Sequence, residues 1–493
     1  MIGTSIHDYV FIRICIFVLH WIAPFSIFYC LSSLVYPAPF HVSRILQVWA
    51  TLESAFYLLV YHPRKIYLQR AATYPTPICR EHRRLLFQRC HENIPDPERY
   101  LAKWFMDAPA PEIKWENVKD FFRWAFLDTV VPNTVNDEEL EEFVRETEKL
   151  LGRKIEPGRG NAKCLRLTQG KVDMLHRSLT WYMCVFIVDT VASGYLRYYS
   201  FDFHSTSPLR LPTVFPFRPL ALLTSHRSPA KTLTYWHRPH TSKTRLPVLF
   251  IHGIGIGLYP YINFLAELNL EDETNESDGE LGVIAVEIMS VSLRITGETL
   301  KKEEMCQEID CILKAHSWEK FVLVSHSYGS VITTHLLYTP QIAQKIEAIL
   351  FIDPVSFLLH LPDVAYNFIC RKPTHANEHL LHYFASKDMG VAHTLFRRFF
   401  WSENILWKED IRNRRVTVVL GGKDLIVDTE VVKAYLTDNK SVRRENEGWK
   451  DGTWKGNGLD VLWFSELDHG EAFDKKNIRA QLVDITRSYC NRE

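Results

Sequence analysis

Apolar residues are laid out in two textures along this chain. The first 200 residues carry long apolar blocks. From Ile14 to Tyr36 no Asp, Glu, Lys or Arg occurs over 23 residues, and about 20 apolar residues suffice for a helix to cross a bilayer core. Pro24 falls inside this block but is tolerated in lipid. No small-x-small cleavage site follows, so the pattern predicts a membrane-embedded helix rather than a removable leader. A second run, Ile45 to Tyr61, is 17 residues long and carries Glu53. It is marginal for a span and equally suited to lie in the interface. A third, Ser178 to Leu196, contains only Asp189 as a charge. A carboxylate is costly at mid-bilayer, so the expectation is a buried or membrane-contacting helix of the body.

Between these blocks, residues 62 to 220 predict mainly helix. Asp137 to Leu151 has helical periodicity with an acidic first turn, which suits the helix dipole. Aromatics crowd nearby at Trp104, Trp115, Phe121, Phe122, Trp124 and Phe126, and Pro208, Pro212, Pro216 and Pro219 mark a linker.

From about residue 230 short apolar runs alternate with helical stretches. The runs Leu233–Trp236, Pro247–Ile251, Val283–Glu287, Phe321–Val324, Ala348–Ile352, Val416–Leu420 and Val461–Phe464 predict strands. Helices are expected at Glu303–Lys314, Val331–Tyr338 and Glu430–Leu436. Continuous apolar strands alternating with helices imply an α/β class: a mostly parallel sheet covered on both faces. The expected organisation is an anchor over 1–62, a mainly helical region over 63–229 and an α/β domain over 230–493.

Composition adds exclusions. The 493 residues are 46% apolar with 58 basic and 58 acidic side chains, which excludes wholesale disorder and gives no support to nucleic-acid binding. Ten cysteines without paired short spacings do not form a disulfide framework. The zero balance conceals Arg64, Lys65, Arg70, Arg80, Arg83 and Arg84 after the second apolar run. By the positive-inside rule this cluster predicts a cytoplasmic body on an endomembrane such as the endoplasmic reticulum. The sequons at Asn275 and Asn439 would be usable only if the body were lumenal.

Candidate chemistry follows the strands. Phe321–Val324 runs into Ser325-His326-Ser327-Tyr328-Gly329 and then a helix. A sharp strand-to-helix turn that exposes a serine needs small residues two before and two after it, and here Ser325 stands where Gly is usual. Another strand ends in His252-Gly253-Ile254-Gly255-Ile256-Gly257. The glycine spacing is wrong for a dinucleotide loop, but the Ile254 and Tyr328 amides suit an oxyanion hole. A serine nucleophile needs a base, and the base an orienting carboxylate. Asp424 follows one strand and His469 the last, giving the chain order Ser, Asp, His; Asp353 and Asp428 are substitute acids.

On HGIGIG at 252–257, SHSYG at 325–329, GGKD at 421–424 and DHG at 468–470, residues 230–490 resemble the α/β-hydrolase superfamily. The resemblance implies Ser327 as nucleophile, Asp424 as acid, His469 as base and Ile254 and Tyr328 as oxyanion donors. It also implies a helical lid over about 356–415 and needs no metal or organic cofactor. That segment carries Phe396, Phe399, Phe400, Trp401 and Trp407 beside Arg397 and Arg398. Such side chains suit a lipid–water boundary, and equally a cap packed on the core. Two rival patterns, the zinc-like His375-x-x-Glu378-His379 with His382 and the transferase-like His469-x4-Asp474, read as coincidental.

The expectation is a membrane-tethered serine hydrolase acting on a carboxylic ester, of a lipid or another hydrophobic acyl donor. An acyltransferase using the same acyl-enzyme is the alternative, and a non-enzymatic membrane scaffold the third. Oligomeric state is not legible in the sequence.

Overall fold

Strands that are apolar at every position must be buried on both faces, and the structure pairs them accordingly. The computed structural model describes residues 3–35, 42–128, 137–269, 278–438, 451–456 and 458–492. Both sequons and most of the acidic stretch near residue 275 lie outside these. Nine strands form one sheet: β1 (Asp202–His204), β2 (Thr234–Arg238), β3 (Val248–Ile251), β4 (Val283–Glu287), β5 (Phe321–His326), β6 (Ile346–Ile352), β7 (Arg415–Gly421), β8 (Gly452–Lys455) and β9 (Leu459–Phe464). Their order across the sheet is β1-β2-β4-β3-β5-β6-β7-β9-β8. The six strands from β4 across to β9 run parallel, β2 is antiparallel to β4, and β1 and β8 add antiparallel edges.

All seven strands expected from the sequence are present, within three residues at each end. The expected helices are found at Lys302–Ala315, Gly329–Leu337, Thr429–Leu436 and, unchanged, Asp137–Leu151. Strand alternation splits the core into two. Leu249, Ile251, Leu323, Ile349, Phe351 and Val418 face one side, and Val248, Phe250, Val322, Val324, Leu350 and Val419 the other. The first side continues without a break into the aromatic helices, where Phe87 stacks on Phe143 at 4.1 Å. The second is closed by the last helix, Lys476–Cys490.

Among the described residues two helices are long and apolar enough to cross a membrane, Ile6–Val35 and Leu179–Tyr198. The first packs on helix Arg44–Phe56 and on Ala376–Leu380 of the lid, where Tyr9 and Arg13 meet His379. The second lies against the body through Tyr182, Val185, Ala192 and Leu196 and exposes Met183, Ile187, Val191 and Tyr195. Its Asp189 is paired with Arg218 at 3.1 Å and Arg294 at 2.6 Å. Arg218 in turn donates two buried hydrogen bonds to the Glu287 carboxylate. Glu53, the charge within the second apolar run, is fully buried and caps this helix, accepting from the Leu179 and Thr180 amides at 2.8 and 2.7 Å. Both acidic residues are therefore satisfied by the protein. Of the basic cluster, Arg83 and Arg84 pair with Glu139 and Glu142, and Arg64 donates to the Thr296 carbonyl.

Candidate active site

The parallel strands all end on one side of the sheet, and their loops gather Ser327, Asp424 and His469 there. Ser327 follows β5 with φ +52°, a left-handed conformation that projects a side chain from a tight turn and costs strain. The turn is enforced by close approach. A Cβ at Gly329 would lie 2.4 Å from the Ile251 carbonyl oxygen, so only glycine fits. Ser325, which stands where Gly is usual, has no left-handed backbone strain. It is an ordinary member of β5, paired with Ile251 and Phe351, and the twist is concentrated at Ser327. The Ser325 hydroxyl is buried without a hydrogen-bond partner among the described residues, a polar atom left at some cost.

His469 Nε2 lies 2.8 Å from Ser327 Oγ, and its Nδ1 donates to Asp424 Oδ2 at 2.7 Å. The other Asp424 oxygen accepts from the Ile426 and Val427 amides at 2.7 and 2.9 Å, which fixes the carboxylate. Asp353 belongs to the same cluster: its oxygens accept from the Gly421 and Gly470 amides, tying together the loops that carry Asp424 and His469. Asp428 does not join them. It caps helix Thr429–Leu436 through the Val431 amide and pairs with Arg99 at 3.0 Å, which holds it away from the imidazole.

Burial alone would lower the His469 imidazolium, but the charge and hydrogen bond of Asp424, with Asp353 and Asp468, outweigh it and raise it to about 9. Burial pushes the Asp353 carboxyl up, and the Asp424 charge adds to the rise against His469 and the two amides. Asp424 holds the imidazole directly, and Asp353 stands beside it, bonded to the Gly421 and Gly470 amides.

Ser327, Tyr328 and Ile254 open onto an apolar cleft with a free volume of about 60 Å³. Its walls come from the lid (Phe399, Phe400, Trp401) and, unforeseen from the sequence, from the helical region through Trp104, Trp124 and Asp128. Asp128 is a carboxyl in an apolar wall, raised to about 7 by burial and by the Glu403 charge. The close spacing of aromatics from Trp104 onward was the only signal that this region matters, and it could not show which wall they build. The lid's arginines do not face outward as a lipid-boundary reading requires. Arg397 is buried, donating to the Arg70 and Gly170 carbonyls, and Arg398 pairs with Glu298. The lid's His375 is exposed and Glu378 folds back onto Thr374, so the zinc-like pattern works as a helix start.

Strand order, the antiparallel β2, and the elbow after β5 with His469 after the last parallel strand decide the architecture. The chain has the α/β-hydrolase fold. No family model and no curated protein matches it. Among solved structures it is similar to a bacterial membrane phospholipase A at 12% identity, covering 63% of this chain and 94% of that one with a TM-score of 0.37. A carboxylesterase of the archaeon Nitrososphaera gargenis matches at 14% identity over 53% and 97% of the two chains, TM-score 0.35. The 2-hydroxy-6-oxo-6-phenylhexa-2,4-dienoate hydrolase of a Rhodococcus species matches at 13% over 52% and 95%, TM-score 0.34. In this α/β-hydrolase framework the chain adds a lid over β6–β7 and a helical layer ahead of the sheet, and the cleft lies between them.

Proposed function

We propose that the protein is a membrane-associated serine hydrolase that cleaves a carboxylic ester of a lipid or a comparably hydrophobic acyl donor. The observation that carries the chemistry is the unbroken relay Asp424–His469–Ser327, at 2.7 and 2.8 Å, ending on a serine held in a strained turn. His469 takes the proton of Ser327 as its oxygen attacks the ester carbonyl. The Ile254 and Tyr328 amides receive the developing oxyanion. Neither amide donates to an acceptor among the described residues. His469 then protonates the leaving alcohol, and water resolves the acyl-enzyme by the reverse path.

The apolar cleft supports a hydrophobic acyl group, and the apolar helix Ile6–Val35, with its outward Phe17, Phe25 and Phe28, supports membrane attachment. The basic residues beyond Tyr61 support a cytoplasmic body on an endomembrane.

A fluorophosphonate probe tests the reading. Wild-type protein is expected to label and Ser327→Ala to remain unlabelled; equal labelling of both, or of neither, overturns it. Incubation of purified protein with lipid esters, with and without an acceptor alcohol, separates hydrolysis from acyl transfer.

A further inference from the structure

The face of the sheet edge remote from Ser327 carries a second concentration of histidines. Residues on adjacent antiparallel strands pair side by side, and period-two alternation puts every second side chain on one face. In β1 and β2 the register sets His204 opposite Tyr235 and Asp202 opposite His237. His204, Tyr235 and His237 therefore share a face. His316, the residue ending helix Lys302–Ala315, comes down onto that face from above.

One ring nitrogen from each of His204, His237 and His316 lies within 4.8 Å of the others. The His237 and His316 rings are 3.9 Å apart, and His204 is edge-on to both at 5.5 and 5.4 Å. The Tyr235 hydroxyl stands between two of the rings, 3.0 Å from His204 Nδ1 and 2.9 Å from His316 Nε2. Neither ring nitrogen of His237 has a partner among the described residues. Asp202, the adjacent carboxylate, faces His226 instead at 3.8 Å. Asp202 shares that face but turns to His226, and three imidazoles this close would repel if all were charged, whereas a cation between neutral rings would give them a common partner.

We propose that His204, His237 and His316 form a binding site for a transition-metal ion of the zinc class, distinct from the catalytic cluster. Imidazole nitrogen is the preferred donor for zinc, nickel and copper, whereas calcium and magnesium take oxygen. Metal–nitrogen bonds of about 2.0–2.1 Å require the three nitrogens to draw in by roughly an ångström. The half-buried rings of His237 and His316 allow this, and the Tyr235 hydroxyl becomes either a fourth contact or an outer partner that orients a ring. His204 and His237 stand on the β1–β2 edge with β4 and β3 between them and β5, so the site is separated from Ser327 across the sheet. The ion would tie the antiparallel edge to helix Lys302–Ala315 and take no part in ester cleavage.

Zinc titration of the detergent-solubilised full-length protein, by calorimetry and by metal content after dialysis, tests the proposal. Wild type is expected to hold one equivalent of zinc and to melt at a higher temperature with it. His237→Gln and His316→Gln should each weaken binding at least thirtyfold and lose the zinc-dependent rise in melting temperature, while melting as wild type does without metal. His469→Ala should keep the equivalent. Retention of zinc by both glutamine variants, its loss in His469→Ala alone, or no stoichiometric uptake by wild type overturns the assignment.

Discussion

Gly253 approaches Ser327 so closely that a Cβ on the glycine would lie 2.7 Å from the serine's own Cβ and 2.8 Å from His326 Nδ1. The loop that carries Ile254 is thereby locked to the turn at Ser327. Gly253→Ala should leave the fold intact by circular dichroism yet lower kcat/KM on a p-nitrophenyl ester by about a hundredfold, because an ångström of misplacement is worth that much.

The elevated His469 gives the activity an alkaline-leaning profile. The imidazole must be neutral to act as base, so kcat/KM rises with pH, with a midpoint above 6.5 and no higher than about 9. Asp353→Asn removes one of the three carboxylates that favour the protonated imidazole and should move that midpoint down. Stability has the opposite sign. A raised histidine contributes stability that is present below its unfolded value and lost as pH rises through about 9, so the melting temperature should fall over that interval.

The ion network beneath helix Leu179–Tyr198 predicts a stability defect remote from the chemistry. Arg218→Met leaves Glu287 buried and unpaired with arginine and strips one partner from Asp189. Removing one side of a buried pair costs about 3–5 kcal/mol. Thermal unfolding of the detergent-solubilised variant should show a large drop, partly recovered by pairing the change with Glu287→Leu.

Phe399 is placed to set chain-length preference, since it lines the cleft and its ring lies 6.4 Å from that of Tyr328. Phe399→Ala should raise kcat/KM for long acyl esters relative to short ones several-fold. An unchanged ratio across a C4 to C16 series would place the chain elsewhere.

Legibility followed burial. The strands β3 to β7 and β9 stood out because both of their faces are covered, which forces continuous apolar runs. β1 is three residues long and β8 is exposed at every position, so neither leaves a hydrophobic signature. Ser327, Asp424 and His469 were readable because each follows a strand whose apolar run announces it. Asp428 was indistinguishable from Asp424 by that criterion; only Arg99, 329 residues away in the chain, shows it to be a helix cap held elsewhere. Glu53, Asp189 and Arg397 looked like problems for, or partners of, a bilayer because their true partners lie more than 25 residues off. Asp128 and Trp124 belong to the cleft through packing between layers, which no local pattern encodes.

Glu53 alters what removal of the N-terminus means. The segment it belongs to supplies the carboxylate that closes the first turn of helix Leu179–Tyr198, and Trp49 bonds Thr180 beside it at 3.0 Å. A chain shortened to begin after Tyr61 would lose that cap. It would expose two uncapped amides and the buried side of Tyr182, and would purify as aggregate rather than as a soluble catalytic fragment. The segment before Tyr61 and the body therefore fold as one unit, joined as by a rigid bracket rather than a leash.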